Sequence, residues 1–488
     1  VSVDLSKTCK QYRQVLLGIT LLALAPVVSA LDVFRTDLAV PPEVAGSMLV
    51  AESSQGVCTF GPVGKPLTLK EAIERSLCNN PKTREAWATV KIQTANVGIA
   101  KAAYLPTVSS TWQAIRDNSR TTISGFPDLS SRQTASERSA SVSLSWLLYD
   151  FGGRSAALNN ASELLAAAQA NHEAALQSTF MTAAKDFYAA QAAYGGLIAA
   201  NDIEQSAKDS FKAASGRVDK GVAPISDQLQ AQTVYAQAVF SRTKAEGDWE
   251  VALGTLMSDL DLDPNLPIDL PDVTEGVVTP SEFRQSLDDL ILDAKQTHPN
   301  VRAAQAQLNA ALEKVRQVVA EGLPQVSMTG KYSWNNQPVS PSLGQPGLPS
   351  TASDRYIGVQ LTMPIFEGFA RTYQVRQAEA QAELARATLE EARQKVGLDV
   401  WSSEHALRTA TENVGNSATL LDIAQRSFDA SLHRYLAGVG NILELLNSQA
   451  ALAGAKKQRI QSLTDWRTAR LQLAATLGKL GMWNIAQP

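Results

Sequence analysis

Four histidines, three cysteines and a short run of aspartates are the residues of this 488-residue chain whose types suit metal or covalent chemistry. His172, His298, His405 and His433 are scattered, without the short spacings that bring two imidazoles to one metal. Asp259, Asp261 and Asp263 alternate like the start of a calcium loop, but the glycine turn and distal glutamate of an EF-hand are missing. They read as solvated carboxylates at a helix end. No Walker loop, dinucleotide glycine pattern or nucleophile elbow occurs. The sequence therefore predicts no catalytic residue, no metal site and no cofactor, and any ATPase domain must reside on another subunit.

Cys9 lies ahead of an apolar stretch, so it is not the lipid-bearing cysteine that follows a lipoprotein signal. Cys58 and Cys78 could close a loop in an oxidising compartment, which would stabilise by ~3 kcal/mol on a chain-entropy estimate. No histidine or third cysteine sits nearby to make a metal site, so a structural staple is the better reading.

The elements that must carry these residues begin with a secretory signal over residues 1–30. Lys7, Lys10 and Arg13 supply the positive start, Val15 to Val28 the apolar stretch and Val28-Ser29-Ala30 a small-residue cleavage site. That stretch is shorter than the ~20 residues a membrane-spanning helix needs. Basic and acidic residues nearly balance, 44 against 48, and no long basic run could neutralise several phosphates, which argues against nucleic acid as a partner.

An internal duplication organises the rest, at a shift of about 217 residues. Leu69 to Pro81 lies over Leu287 to Pro299, and Leu148-Tyr149-Asp150 with Arg154 over Ile365-Phe366-Glu367 with Arg371. Phe211, Arg217, Gly221-Val222, Ile225, Asp227, Leu229 and Gln232 match Phe428, Arg434, Gly438-Val439, Ile442, Glu444, Leu446 and Gln449, and Asp248-Trp249 matches Asp465-Trp466. Each half should therefore be the same structural unit. The expected layout is an N-terminal periplasmic segment at 31–66, a first repeat at 67–262, a Pro-rich linker at 263–281, a second repeat at 282–482 and a tail at 483–488.

Within each half, helical periodicity gives way to strict alternation. Ala140, Val142, Leu144, Trp146 and Leu148 fall on one face of a strand at about 138–148, and Ser139, Ser141, Ser143 and Ser145 on the other. A strand at 325–334 does the same with Val326, Met328, Tyr332 and Trp334. Weaker alternation marks 107–116 and 355–363, with polar loops at 117–137 and 335–354. A ten-residue strand with one apolar and one Ser/Thr-rich face has the pattern of a transmembrane β-strand beside a wet lumen. Four such strands cannot close a barrel, and bare edges are not tolerated in lipid, so chains must share one. Trp112, Trp146 and Trp334 suit an interfacial aromatic belt, whereas Trp87, Trp249, Trp401 and Trp466 read as helix-packing residues.

From Arg154 to about Lys220, and from Arg371 to about Ala437, no proline interrupts the helical pattern, which predicts rods of ~100 Å. The remaining helical pieces, 81–104 with 225–260 and 299–322 with 442–478, would lie end to end along them. A bend or a crowded contact is expected at Gly195-Gly196.

This order, repeated twice, resembles the TolC family of outer-membrane efflux and secretion proteins over nearly the whole mature chain. The resemblance implies a mixed α and β fold, in which a homotrimer shares a twelve-stranded transmembrane β-barrel in outer-membrane lipid and a long antiparallel α-helical barrel in the periplasm. It implies partners as well, a periplasmic membrane-fusion adaptor and an inner-membrane ABC or proton-driven transporter. By carry-over, Arg217, Gly221, Val222, Arg434, Gly438 and Val439 are adaptor-facing tips, although helix capping alone also explains the glycines. Glu444 would form an acidic ring at the entrance, with Asp227 and Tyr435 in closing links. The chain departs from the family pattern at Asn447, a second acidic position, and at Gly440, where a closing arginine would stand. The Cys58–Cys78 segment and Asn80-Pro81 resemble members serving type I protein secretion, but the cargo, small molecule or protein, is left open. A trimeric coiled-coil surface protein is the alternative, and the internal strand pairs oppose it.

Overall fold

The computed structural model describes residues 32–42, 58, 60–273, 286–339 and 348–481. The expected signal segment, much of 31–66, the end of the linker and the tail at 483–488 lie outside them.

The two halves fold into helices of matched length. Helices α1 (Leu69–Asn79) and α2 (Pro81–Ala102) lead into strands β1 (Thr107–Thr121) and β2 (Ser131–Tyr149), then α3 (Gly153–Asp219) and α4 (Ile225–Asp259). The second half repeats this as α5 (Leu287–Thr297), α6 (Pro299–Ala320), β3 (Gln325–Asn335), β4 (Ala352–Thr362), α7 (Ala370–Leu436) and α8 (Ile442–Thr476). The long helices α3 and α7 have 67 residues each, which at about 1.5 Å per residue is a rod of ~100 Å.

Local sequence fixes the helix starts. Asn80 and His298 cap α2 and α6, accepting from the backbone N–H of Lys82 at 2.9 Å and of Asn300 at 3.2 Å, and each is followed by a proline at the first helical position. Burial holds the His298 imidazole below its usual pKa, which keeps Nδ1 free to accept. At the junction with the sheet, Arg154 donates to Asp150 Oδ2 at 3.3 Å and to the Leu147 carbonyl at 2.6 Å. Its repeat counterpart Arg371 bonds Glu367 at 3.1 Å and Glu321 at 3.2 Å.

Around the rod, α3 packs on α2 and α6, and α6 on α7, in the half nearer the sheet; in the far half the order is α4, α3, α8, α7. Small side chains let these axes approach, with Ala183, Ala184, Ala190 and Ala214 fully buried on α3. Gly195 provides a crowded contact, since a Cβ there would sit 3.3 Å from Val273. Around the middle of the rod, α1 inserts Ile73 and Leu77 against Leu176 and Phe180 of α3 and Leu471 of α8. The Pro-rich join is packed here too, with Ile268, Leu270 and Val273 buried and Gln191 donating to the carbonyls of Pro271 at 2.9 Å and Asp272 at 3.0 Å.

The four strands form one antiparallel sheet in the order β1-β2-β3-β4. Strands β1 and β2 run past the expected ends at residues 116 and 138, and pair as far as Thr121↔Ser131. Apart from the buried Ala135 the extra rungs are polar on both faces, so hydrophobic alternation vanishes there while the backbone ladder continues. A register shift between Leu147 and Tyr149 also places Tyr149, rather than Leu148, opposite Val326.

Candidate functional site

Residues directly opposite in an antiparallel pair share a face. One face carries Ser109, Thr111 and Gln113 of β1 opposite Ser143, Ser141 and Ser139 of β2, with Ser109 and Ser143 hydroxyls 2.8 Å apart. The other carries Val108 opposite Leu144 and Trp112 opposite Ala140, then Trp146 opposite Met328 and Met328 opposite Val359. This apolar face is uncovered in the single chain, with Val108, Trp112, Ile357, Val359 and Leu361 all exposed. Aromatic residues bound it: Trp112, Tyr332 and Trp334 towards the hairpin ends, and exposed Tyr149, Phe151, Phe366, Phe369 and Tyr373 at the helix junction. Both sheet edges, β1 and β4, are open.

At the far end of the rod the two helical hairpins turn. Each long helix ends in a Schellman motif, with Gly221 and Gly438 at φ 70° and 82°. Gly221 N–H donates to the Val218 carbonyl at 2.9 Å and Val222 N–H to that of Arg217 at 3.0 Å. Gly438 and Val439 repeat this to Tyr435 at 3.0 Å and Arg434 at 3.1 Å. Only glycine adopts this left-handed backbone without strain, so capping fully explains both glycines. It does not explain the valines, which in such motifs normally fold back on the helix but here are 64% and 73% exposed at Val222 and Val439.

The duplicated arginines take different partners. Arg217 crosses to the other hairpin, donating from Nη1 to the Tyr435 carbonyl and placing its guanidinium 4.8 Å from the centre of the Tyr435 ring. Arg434 stays in its own hairpin, 3.5 Å from Glu444. Neither cation projects freely from the tip. Tyr435 is 1% exposed, packed among Ala214, Phe428 and Ile442, and its buried hydroxyl meets no acceptor among the described residues. Burial pushes the phenol pKa up, the charge of Asp227 adds to the rise, and Arg217 opposes it. Glu444 and Asn447, one turn apart on α8, are both exposed on one face. Gly440 is sterically required, because a Cβ there would lie 2.7 Å from the Tyr435 backbone nitrogen. A side chain such as arginine does not fit this return without moving the backbone.

Cys58 and Cys78 are joined by a disulfide with Cα atoms 5.5 Å apart. Beside it, Arg75 bonds the Gly61 carbonyl at 2.7 Å and Glu71 at 2.9 Å, so the segment is held to α1 by polar contacts as well. Among the described residues no group of three metal-ligating side chains occurs, and no helix is long and apolar enough to cross a membrane. Two readings of single residues need correction. Trp401 is 49% exposed in the single chain rather than packed within it, because it lies on a face of α7 that no other described element covers. Asp259 is not a solvated helix-end carboxylate: it is half-buried and lies beside Asp186 of α3. Sequence pattern had no means of finding that pair, since the partners lie far apart in the chain.

The family model described as outer membrane efflux protein matches twice, over residues 72–260 and 290–479, once in each repeat. Protein CyaE of Bordetella pertussis is 32% identical over 461 residues, spanning 92% of both chains. Outer membrane efflux protein BepC of Brucella suis is 25% identical over 90% of each. Among solved structures, the CmeC outer membrane channel of Campylobacter jejuni superposes with a TM-score of 0.73 at 16% identity, covering 89% of this chain and 92% of that one.

Proposed function

The chain belongs to the outer membrane efflux protein family, whose members are outer-membrane channels rather than enzymes, and from that premise we propose that it is one subunit of a trimeric exit channel. The observation that carries the assembly is that the chain is open along one continuous pair of flanks. Strand β1, α2 and α4 lie along one flank and β4 and α7 along the other. Exposed apolar residues mark both, Ile92, Ile99 and Phe240 on the first and Leu384, Leu398 and Trp401 on the second. A flank that fits the opposite flank of the next copy makes a head-to-tail interface, which closes into a ring. Three copies give twelve strands, above the eight that the smallest bacterial barrels need. The exposed apolar face with its aromatic borders then meets lipid, the serine face lines a wet lumen, and the helices continue that lumen into the periplasm.

The hairpin tips are the periplasmic entrance. Val222 and Val439, held outward by the two caps, form the docking surface for a periplasmic membrane-fusion adaptor, which couples the channel to an inner-membrane ABC or proton-driven transporter. Arg217, Tyr435 and Asp227 set the closed position, and Glu444, with Arg434 and Asn447 beside it, sets the charge of the mouth. The channel exports small molecules or secreted proteins, and a serine-lined lumen suits either.

Native mass spectrometry in detergent, with planar-bilayer conductance of the same preparation, tests this reading. It expects three copies and defined conductance steps; a stable detergent-free monomer without conductance would end it.

A further inference from the structure

The two repeats match in every helix length and differ in the sheet. Strands β3 and β4 have 11 residues each, whereas β1 and β2 have 15 and 19. The ladder of β2 with β3 stops at Ser139↔Asn335, with Asn336 still bonding Arg138 and Ser136, but β1 and β2 continue for eight further pairs, Ala114↔Arg138 through Thr121↔Ser131. At about 3.4 Å per residue this two-stranded arm projects ~27 Å past the end of β3.

The arm segregates its charge by face. Arg116 and Arg120 of β1, and Arg132 and Arg138 of β2, all lie on the face that lower down carries Val108, Trp112, Val142 and Leu144. Arg355 of β4, opposite Tyr332, shares it. The acidic residues of the strands, Asp117, Glu137 and Asp354, lie on the other face, together with Lys331. Arg120 stands directly opposite Arg132, a like-charge pairing that destabilises an isolated hairpin. All five guanidinium groups are exposed, and none is paired with a carboxylate among the described residues. A column of cations directly above an apolar, aromatic-bordered band, with its carboxylates turned away, is complementary to a layer of phosphate groups at the lipid surface.

We propose that Arg116, Arg120, Arg132 and Arg138 form a phosphate-binding face that holds the lipopolysaccharide of the outer leaflet against the barrel. This rests on the outer-membrane reading above, in which the hairpin ends, opposite the helical rod, face the cell exterior. Planar guanidinium forks bond phosphate oxygens in pairs, and each such bond is charge-assisted.

The test is binding of deep-rough lipopolysaccharide, and of the same lipid enzymatically dephosphorylated, to the delipidated full-length protein in detergent. Replacing the four arginines by glutamine, and removing phosphate from the lipid, should each weaken binding by about tenfold or more. Four lysines, which keep the charge but not the paired forks, should bind more tightly than the glutamine variant and more weakly than the parent, and the inner-face residues Asp117→Asn with Glu137→Gln should leave binding unchanged. Equal binding by the glutamine variant, equal binding of the dephosphorylated lipid, or equal competition by phosphatidylglycerol overturns the assignment. If the glutamine variant does not fold, the dephosphorylated lipid on the parent protein decides alone. A parent that conducts in planar bilayers but shows no phosphate preference loses this assignment and keeps the channel reading. A parent that does not conduct loses both.

Discussion

Arg217 Nη1 donates to the Tyr435 carbonyl at 2.5 Å while its guanidinium stacks 4.8 Å from the ring of the same tyrosine. The accepting carbonyl belongs to the last turn of α7, where it also receives the Gly438 N–H. One side chain from the first repeat thus ties down the helix end of the second, at the negative pole of that helix. Its repeat counterpart Arg434 pairs instead with Glu444 of its own hairpin and makes no equivalent crossing among the described residues. Removing the clasp by Arg217→Ala forfeits a charge-assisted hydrogen bond and a cation–π contact, together about 1–3 kcal/mol for a half-buried arginine against a buried tyrosine. The expected result in planar bilayers is a larger open fraction, partly reversed by Arg217→Lys, which keeps the charge but not the planar stack. Conductance traces of Arg217→Ala indistinguishable from the parent would remove Arg217 from the gate.

The Arg434–Glu444 pair is a weaker contact, 3.5 Å long with both side chains more than a third exposed, and such pairs contribute about 0–1 kcal/mol. Its worth is in the field at the mouth rather than in holding the tip. Glu444→Ala should leave thermal stability nearly unchanged and weaken block by multivalent cations several-fold, and Asn447→Asp should strengthen that block. If neither variant alters conductance or block, the acidic ring is wrong.

Two tip glycines differ in why they are glycine, and alanine separates them. At Gly438 the backbone is left-handed, φ 82°, with open space around a Cβ, so alanine costs about 1–2 kcal/mol of strain. At Gly440 the obstacle is a neighbouring backbone atom 2.7 Å away, and relieving the clash costs about 1–3 kcal/mol and displaces the Tyr435 helix end. Gly216, inside α3 with nothing near a Cβ, should gain up to about 1 kcal/mol as alanine. Melting temperatures check the three signs; in addition, Gly440→Ala should change gating and Gly216→Ala should not.

Why the helices and the duplication were legible while other features were not follows from range. Asn80-Pro81 and His298-Pro299 carry their helix starts in adjacent residues, and Gly221-Val222 and Gly438-Val439 carry the helix ends in the same way. The Ser/apolar alternation of β2 and β3 exists because one face is wet and the other dry, and it disappears beyond Arg116 because the side chains there, Ala135 apart, are polar on both faces. Arg217 and Arg434 sit at identical positions in the duplicated pattern, which assigns them one role, and only the packing of α3 beside α8, with the Arg217 side chain reaching on to the end of α7, separates their partners. Gly440 looked like a missing arginine because a substitution at one position is readable, whereas the backbone that forbids a side chain there is not.

Asp186 and Asp259 supply the last expectation. Burial pushes the Asp186 carboxyl up to about 7, with its hydrogen bond to Asp259 and the Asp259 charge adding to the rise and Lys185 opposing it. The folded chain therefore keeps a proton that the unfolded chain releases near its ordinary value of 3.8. Between those values the folded state binds more protons than the unfolded state, so stability declines as pH rises from about 4 to about 7 and levels off above. Asparagine mimics the protonated carboxyl at every pH. Asp186→Asn should match the parent near pH 4 and melt at a higher temperature than the parent at pH 8, and the variant should lose the decline between. Melting curves of parent and variant that run parallel across this range would mean that the two carboxyls share no proton in the middle of the rod.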